Sequence, residues 1–139
     1  MDTNIPAETI EVLANCSRVP IIAEPVSAHK AVKLLPVLHK LFAVTPNKLE
    51  ARILCDGAPF LPTESFSSKK DLMSEAEEYA SFLLNKGVQR AYISLGAEGL
   101  FCADKAEHFT IPSFMSEGKF IKNTTGAGDS QTAAIAWSH

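Results

Sequence analysis

Apolar residues in the first half of the chain alternate between two habits. Some recur at helical spacing, and others form short unbroken runs that suit a buried strand. Ile10, Leu13 and Ala14 predict a helix over residues 6–16. Pro6 suits its first turn, where a missing N–H costs nothing, and Glu8 favours the positive end of the dipole. Residues 19–23 are almost wholly apolar and stop at Glu24-Pro25, which predicts a strand buried on both faces, as parallel sheets require. Val32, Leu35, Leu38 and Leu41 predict a helix over 29–41 that Pro36 must kink or split. A second buried strand over 41–44 ends at Thr45-Pro46, and a helix from Asn47 through Leu54 follows.

Asp56-Gly57-Ala58-Pro59 stops that helix, and the Pro- and Ser-rich stretch up to Lys70 predicts a loop. Asp71 can cap a long helix reaching residues 85–86, with Gly87 as its stop signal. Residues 90–95 predict a third strand, and 100–102 with 108–111 an antiparallel hairpin around Asp104-Lys105. Phe101, Phe109, Phe114 and Phe120 are expected in core or hairpin packing. A last helix over 126–137 starts in a glycine-rich turn, with Trp137 as its core anchor. Strands alternating with helices predict an α/β fold with a mostly parallel sheet and an antiparallel hairpin.

The length of 139 residues fits one domain, and 46% hydrophobic residues exceed what a disordered chain carries. A net charge of −3 without a Lys/Arg cluster argues against nucleic acid or an acidic membrane as partner. No apolar run approaches the ~18 residues of a bilayer span, and residues 1–6 lack the features of a secretory signal. Cys16, Cys55 and Cys102 are odd in number and far apart, which reads as reduced thiols in a cytoplasmic protein rather than a disulfide frame or zinc site. His29, His39, His108 and His139 show no ligand spacing.

The sharpest chemical signal is Asn123-Thr124-Thr125-Gly126-Ala127-Gly128-Asp129-Ser130. Two glycines around one small residue let backbone N–H groups turn toward an anion, and the helix that follows adds its positive dipole end. Asp129 would repel phosphate, unless it takes a proton from a hydroxyl attacking the transferred phosphoryl group. On spacing alone, an N-capping turn explains the same residues equally well. Asn47 and Glu50, at i and i+3, share one face of a helix start and suit Mg²⁺, which keeps waters and phosphates as its other ligands. A capping box has nearly the same pattern and is the commoner reason for it. Ser94-Leu95-Gly96-Ala97-Glu98-Gly99 ends a strand in two glycines, a weak signal by itself.

Together and in this order, the three motifs resemble the PfkB-type (ribokinase-like) carbohydrate kinases. The resemblance implies a three-layer α/β/α fold and an ATP- and Mg²⁺-dependent phosphotransferase with a small sugar or nucleoside substrate. It makes Asp129 the catalytic base and gives the anion hole to Gly126, Ala127 and Gly128. Ser94, Gly96, Glu98 and Gly99 would touch the nucleotide, and Asn47 with Glu50 would serve Mg²⁺ through water and phosphate. Asn123, where the family commonly has Asp, and the Thr125 carbonyl lie where many members hold a monovalent cation such as K⁺. Pro20 to Ala31, with Glu24-Pro25-Val26-Ser27 and Lys30-Ala31, resembles the pseudouridine kinase branch, which implies phosphorylation of a ribose primary hydroxyl. Glu24 would then lie at a strand's carboxyl end, near the magnesium–phosphate network.

Family members are roughly twice as long as this chain. The reading is therefore of a partial domain over residues 1–139, lacking the N-terminal substrate and lid portion and the C-terminal end that helps hold adenine. Such a sheet would expose a long flat edge and self-associate or pair with the missing part.

Overall fold

The computed structural model describes residues 1–57, 69–113 and 126–138. Helix α1 (Ala7–Cys16) leads into strand β1 (Ile22–Ala23). Helix α2 (Ala28–Ala31) passes directly into a 3₁₀ stretch, Val32–Lys40, before strand β2 (Ala43–Val44). Pro36 lies inside the 3₁₀ stretch, where a regular α-helix is interrupted because proline donates no N–H and its ring meets the carbonyl one turn back. Helices α3 (Lys48–Asp56) and α4 (Lys69–Asn85) then precede strand β3 (Arg90–Ser94). Strands β4 (Leu100–Asp104) and β5 (His108–Ile111) form a hairpin, and α5 (Ala127–Trp137) ends the described chain.

The five strands lie in the order β1-β2-β3-β4-β5. The first three pair in parallel, β4 runs against β3, and β5 runs against β4, so four of the five point the same way. Both parallel connections are helical, and α2, the 3₁₀ stretch, α3 and α4 pack on one another in a continuous layer. Ile10, Leu34, Leu41, Leu54, Leu83, Val88 and Ile93 are fully buried between this layer, α1 and the sheet. Lys48 pairs with Glu75 and ties α3 to α4. Among the described residues, no helix is long and apolar enough to cross a membrane.

Several boundaries differ from the sequence expectations. The first strand holds two residues, not five: Pro20 has no N–H to give a ladder, and Val19 is 71% exposed. The third strand ends at Ser94, one residue before the expected Leu95; Ala91 and Ile93 turn into the core while Arg90, Tyr92 and Ser94 are half-buried on the other face. Helix α4 starts at Lys69, two residues before the expected cap at Asp71. The bulk of the expected loop before it, residues 58–68, lies outside the described residues, as do Phe114 and Phe120. Phe101 is buried as expected, and Phe109 stands exposed on β5. Trp137 anchors nothing in the described core: it is 93% exposed, because α5 turns only Ile135 inward.

Beside β1, the first residues of the chain meet the sheet edge. The Met1 amino group donates to the Ile22 carbonyl at 2.7 Å, the Met1 carbonyl accepts from Glu24 N–H at 2.9 Å, and Asp2 bridges Glu24 in parallel. The strand edge that does stay unpaired among the described residues is β5, exposed at all four positions.

Candidate active site

The parallel strands deliver their carboxyl ends to one rim of the sheet, where ligands of such folds bind. Glu24 follows β1, Thr45-Pro46-Asn47 follow β2, and Ser94 closes β3. The ladder runs on past the strands: Thr45 N–H donates to the Ala23 carbonyl at 3.0 Å and Ser94 N–H to the Pro46 carbonyl at 3.0 Å. Asn47 and Ser94 form a further parallel bridge. Glu24, Asn47 and Ser94 are thereby set in a row by backbone hydrogen bonds rather than by flexible loops.

Asn47 caps α3, accepting from Glu50 N–H at 3.0 Å, while a Glu50 carboxylate oxygen accepts from Asn47 N–H at 2.9 Å. The capping box expected from the spacing is therefore formed, and it fixes both side chains. Glu50 is 5% exposed, and burial pushes its carboxyl above the usual carboxylate range, against the two Asn47 hydrogen bonds that favour the charge. Only one of its oxygens is engaged in the box. One buried carboxylate, alongside phosphates and waters, matches the donor set of Mg²⁺, so these residues fit that ion.

Helix α5 lies over the same rim. Gly126 precedes it in the left-handed region (φ 80°), and among the described residues no side chain caps the helix start. Ser130 N–H closes the first turn on the Gly126 carbonyl at 3.0 Å, and the N–H groups of the intervening residues have no acceptor within the helix. Ala127, Gly128 and Asp129 are exposed, with Asp129 on the first turn. Helix N–H groups in that position favour an anion. The helix meets the rim through polar atoms: Thr132 Oγ1 lies 2.9 Å from Thr45 Oγ1, and the Glu24 carboxyl faces Thr132 and Asp129. Burial, and next the facing Asp129 carboxylate, push the Glu24 carboxyl above its ordinary range; Thr132 opposes them, and Glu50 adds to them.

The glycine turn after β3 has two parts. Gly96 (φ 63°) has open space where a Cβ would stand, so its role is the turn itself and close access to its backbone. Gly99 (φ 103°) is walled in, since a Cβ there would lie 2.0 Å from the Ile111 carbonyl oxygen. Glu98 lies between them in a single 3₁₀ turn, Gly96–Glu98.

The pfkB family carbohydrate kinase profile matches residues 2–138. The chain belongs to that family. An Escherichia coli (strain K12) pseudouridine kinase is 29% identical over 136 residues, covering 97% of this chain and 39% of the relative. A structure from Clostridium perfringens assigned as a sugar kinase superposes with a TM-score of 0.75 at 28% identity, covering 99% of this chain and 40% of its own. Thermotoga maritima ribokinase gives 0.70 at 26% identity, with 99% and 41% covered. The chain thus spans about two fifths of the length of these pfkB relatives.

Of the residues singled out from the sequence, the structure brings Glu24, Asn47, Glu50, Ser94, Gly126, Gly128 and Asp129 to the rim or the helix start above it. Gly99 is set apart by the hairpin that packs on it. Asn123 and Thr125, expected at a monovalent cation, lie outside the described residues. Sequence reading missed Thr132 and the clamping part of Thr45. The signal for Thr132 was its place three residues after Asp129, which puts both on one face of α5.

Proposed function

We propose that this chain is the phosphate-handling part of an ATP-dependent phosphotransferase that acts on a primary hydroxyl of a ribose-bearing substrate, pseudouridine first. The observation that carries the reading is Asp129 exposed on the first turn of α5 and facing Glu24 at the carboxyl end of β1. A hydroxyl held beside Asp129 gives its proton to that carboxylate as its oxygen attacks phosphorus. The N–H groups at the Gly126–Gly128 turn meet the charge that develops on the phosphoryl oxygens. Asn47 and Glu50 would hold Mg²⁺ next to the nucleotide, where the ion neutralises phosphate charge. Ser94, Gly96 and Glu98 border the space for the phosphates, and Gly99 shapes the turn that carries them. Asn123 and Thr125 stay assigned to a monovalent cation such as K⁺.

Pseudouridine is favoured over ribose or adenosine by the Glu24-Pro25-Val26-Ser27 segment and by the Escherichia coli relative. Purified chain is to be assayed with Mg·ATP against the three acceptors, with Asp129→Asn as control. Turnover that favours pseudouridine and falls at least about a thousandfold in the variant is expected. Equal turnover in the variant overturns the base assignment, and equal use of ribose overturns the substrate.

A second reading is a nucleotide- or partner-binding portion without turnover, favoured by the two fifths of each relative that the chain spans. It expects Mg·ATP to raise the melting temperature while no acceptor is phosphorylated. Under either reading, the open β5 edge pairs with a second copy of the chain.

A further inference from the structure

Helix α5 carries the base yet buries almost nothing, with Ile135 as its sole buried residue among those described. Among the described residues, what meets its first turns is polar: Thr132 Oγ1 lies 2.9 Å from Thr45 Oγ1, and the Glu24 carboxyl faces Asp129 at the helix start and Thr132 one turn on. The fit is close: a Cβ on Gly128 would lie 2.8 Å from a Glu24 carboxylate oxygen.

The backbone under Glu24 is held with equal care. Two residues on, Val26 adopts φ 64°, the single positive φ of a non-glycine residue among those described. Ser27 N–H donates to the Pro25 carbonyl across it at 2.7 Å, closing a three-residue turn, and the Thr3 hydroxyl donates to the same carbonyl. A β-branched residue in that region is strained, and such strain persists where the surroundings over-determine it. On the other side, Met1 and Asp2 pair with the Glu24 backbone. A side chain merely reaching into water would not need this frame.

We propose that Glu24 is the positioning residue of the Asp129 turn: its carboxyl, aimed by the strained Val26 turn, docks α5 through Asp129 and Thr132 and sets where the base stands over the strand ends. The docking rests on shape and close contact rather than on a charge at Glu24: an amide of the same shape can donate to Asp129 and accept from Thr132, so glutamine in its place should serve. Only the naming of Asp129 as base rests on the phosphotransfer reading.

The test compares Glu24→Ala with Glu24→Gln in the full 139-residue chain by amide hydrogen exchange. Exchange over residues 127–137 is expected to rise about tenfold in the alanine variant and to stay within about twofold of the parent in the glutamine variant. Amides of α4 and β3 should not change in either. Equal loss in both variants would mean that Glu24 acts as a charge, and loss in neither that it docks nothing; each overturns the proposal, as does a parent whose α5 has no protection. Should Glu24→Ala fail to fold, Gly128→Ala takes its place, because it keeps every N–H and only pushes the Glu24 carboxyl away. Its loosening of α5 is expected to vanish when combined with Glu24→Ser, and additive effects count against the contact. Where the parent turns over, Glu24→Ala should lower kcat about tenfold with KM for ATP within about twofold, and Glu24→Gln should restore kcat. A parent without turnover sinks the phosphotransfer reading and leaves the exchange comparison to decide this one.

Discussion

Glu24 and Glu50 sit close together and are both held above their ordinary value of 4.5 by burial first. For a carboxyl raised in the folded state, the folded chain binds more protons than the unfolded one just above that value. The stability involved is complete below the ordinary value and is lost as pH rises through the folded one. Thermal stability should therefore fall as pH climbs out of the acid range. Glu24→Gln removes Glu24's part of this dependence, so it should melt about 3 °C higher than the parent near neutrality and level with it in acid. A variant that melts lower at every pH would show that the carboxylate is favourably paired. At this scale the sequence was informative where a residue type has few uses, as with Asp129 between glycines. It was silent on Thr132 and on the strain at Val26, because both depend on which strand end faces α5, a distance set by the tertiary fold.

Among the elements, α3 shows why two readings of one motif need not compete. Asn47 and Glu50 close a capping box, and the same box holds the Glu50 carboxylate at the rim. Asn47→Ala should cost about 1 kcal/mol and lower the melting temperature by about 3 °C. Glu50→Gln should keep that stability, since an amide oxygen can accept the same Asn47 N–H, while weakening the Mg·ATP-dependent rise in melting temperature. A glutamine variant that melts as low as the alanine variant would show that the charge, not the acceptor, makes the cap. Helices, hairpin and final turn were legible from spacing and from their stop residues. The lengths of β1 and β2 were not, because apolar runs mark burial and say nothing of how many backbone groups find a ladder partner. Pro20 was the overlooked signal.

At the scale of the sheet, Met1 and Asp2 pair on the side of β1, and among the described residues the edge stays open at β5, where Phe109 and Ile111 are exposed. Unpaired N–H and C=O groups flanked by apolar side chains form a template for another strand, and a second copy of β5 meets it by two-fold symmetry. Light scattering should then give a mass that rises with concentration, and Phe109→Lys should return the chain to the monomer. A monomer at every concentration would remove this interface. The alternation of apolar runs with helical spacing correctly pointed to an α/β fold with a mostly parallel sheet and an antiparallel hairpin. Which edge would lie open could not be read there, since it turns on where Met1 lands.

The capping box carries one more consequence, for sequence drift. A copy of this gene released from catalysis would still need α3 to start at Lys48, so folding alone would preserve Asn47 and Glu50. Glu24 and Val26 lie under the opposite pressure, because a partly desolvated carboxyl and left-handed strain cost stability and would be shed first. Among descendants of such a sequence, an intact Asn-x-x-Glu would report a foldable helix, and an intact Glu24 facing Gly128-Asp129 would report a working site.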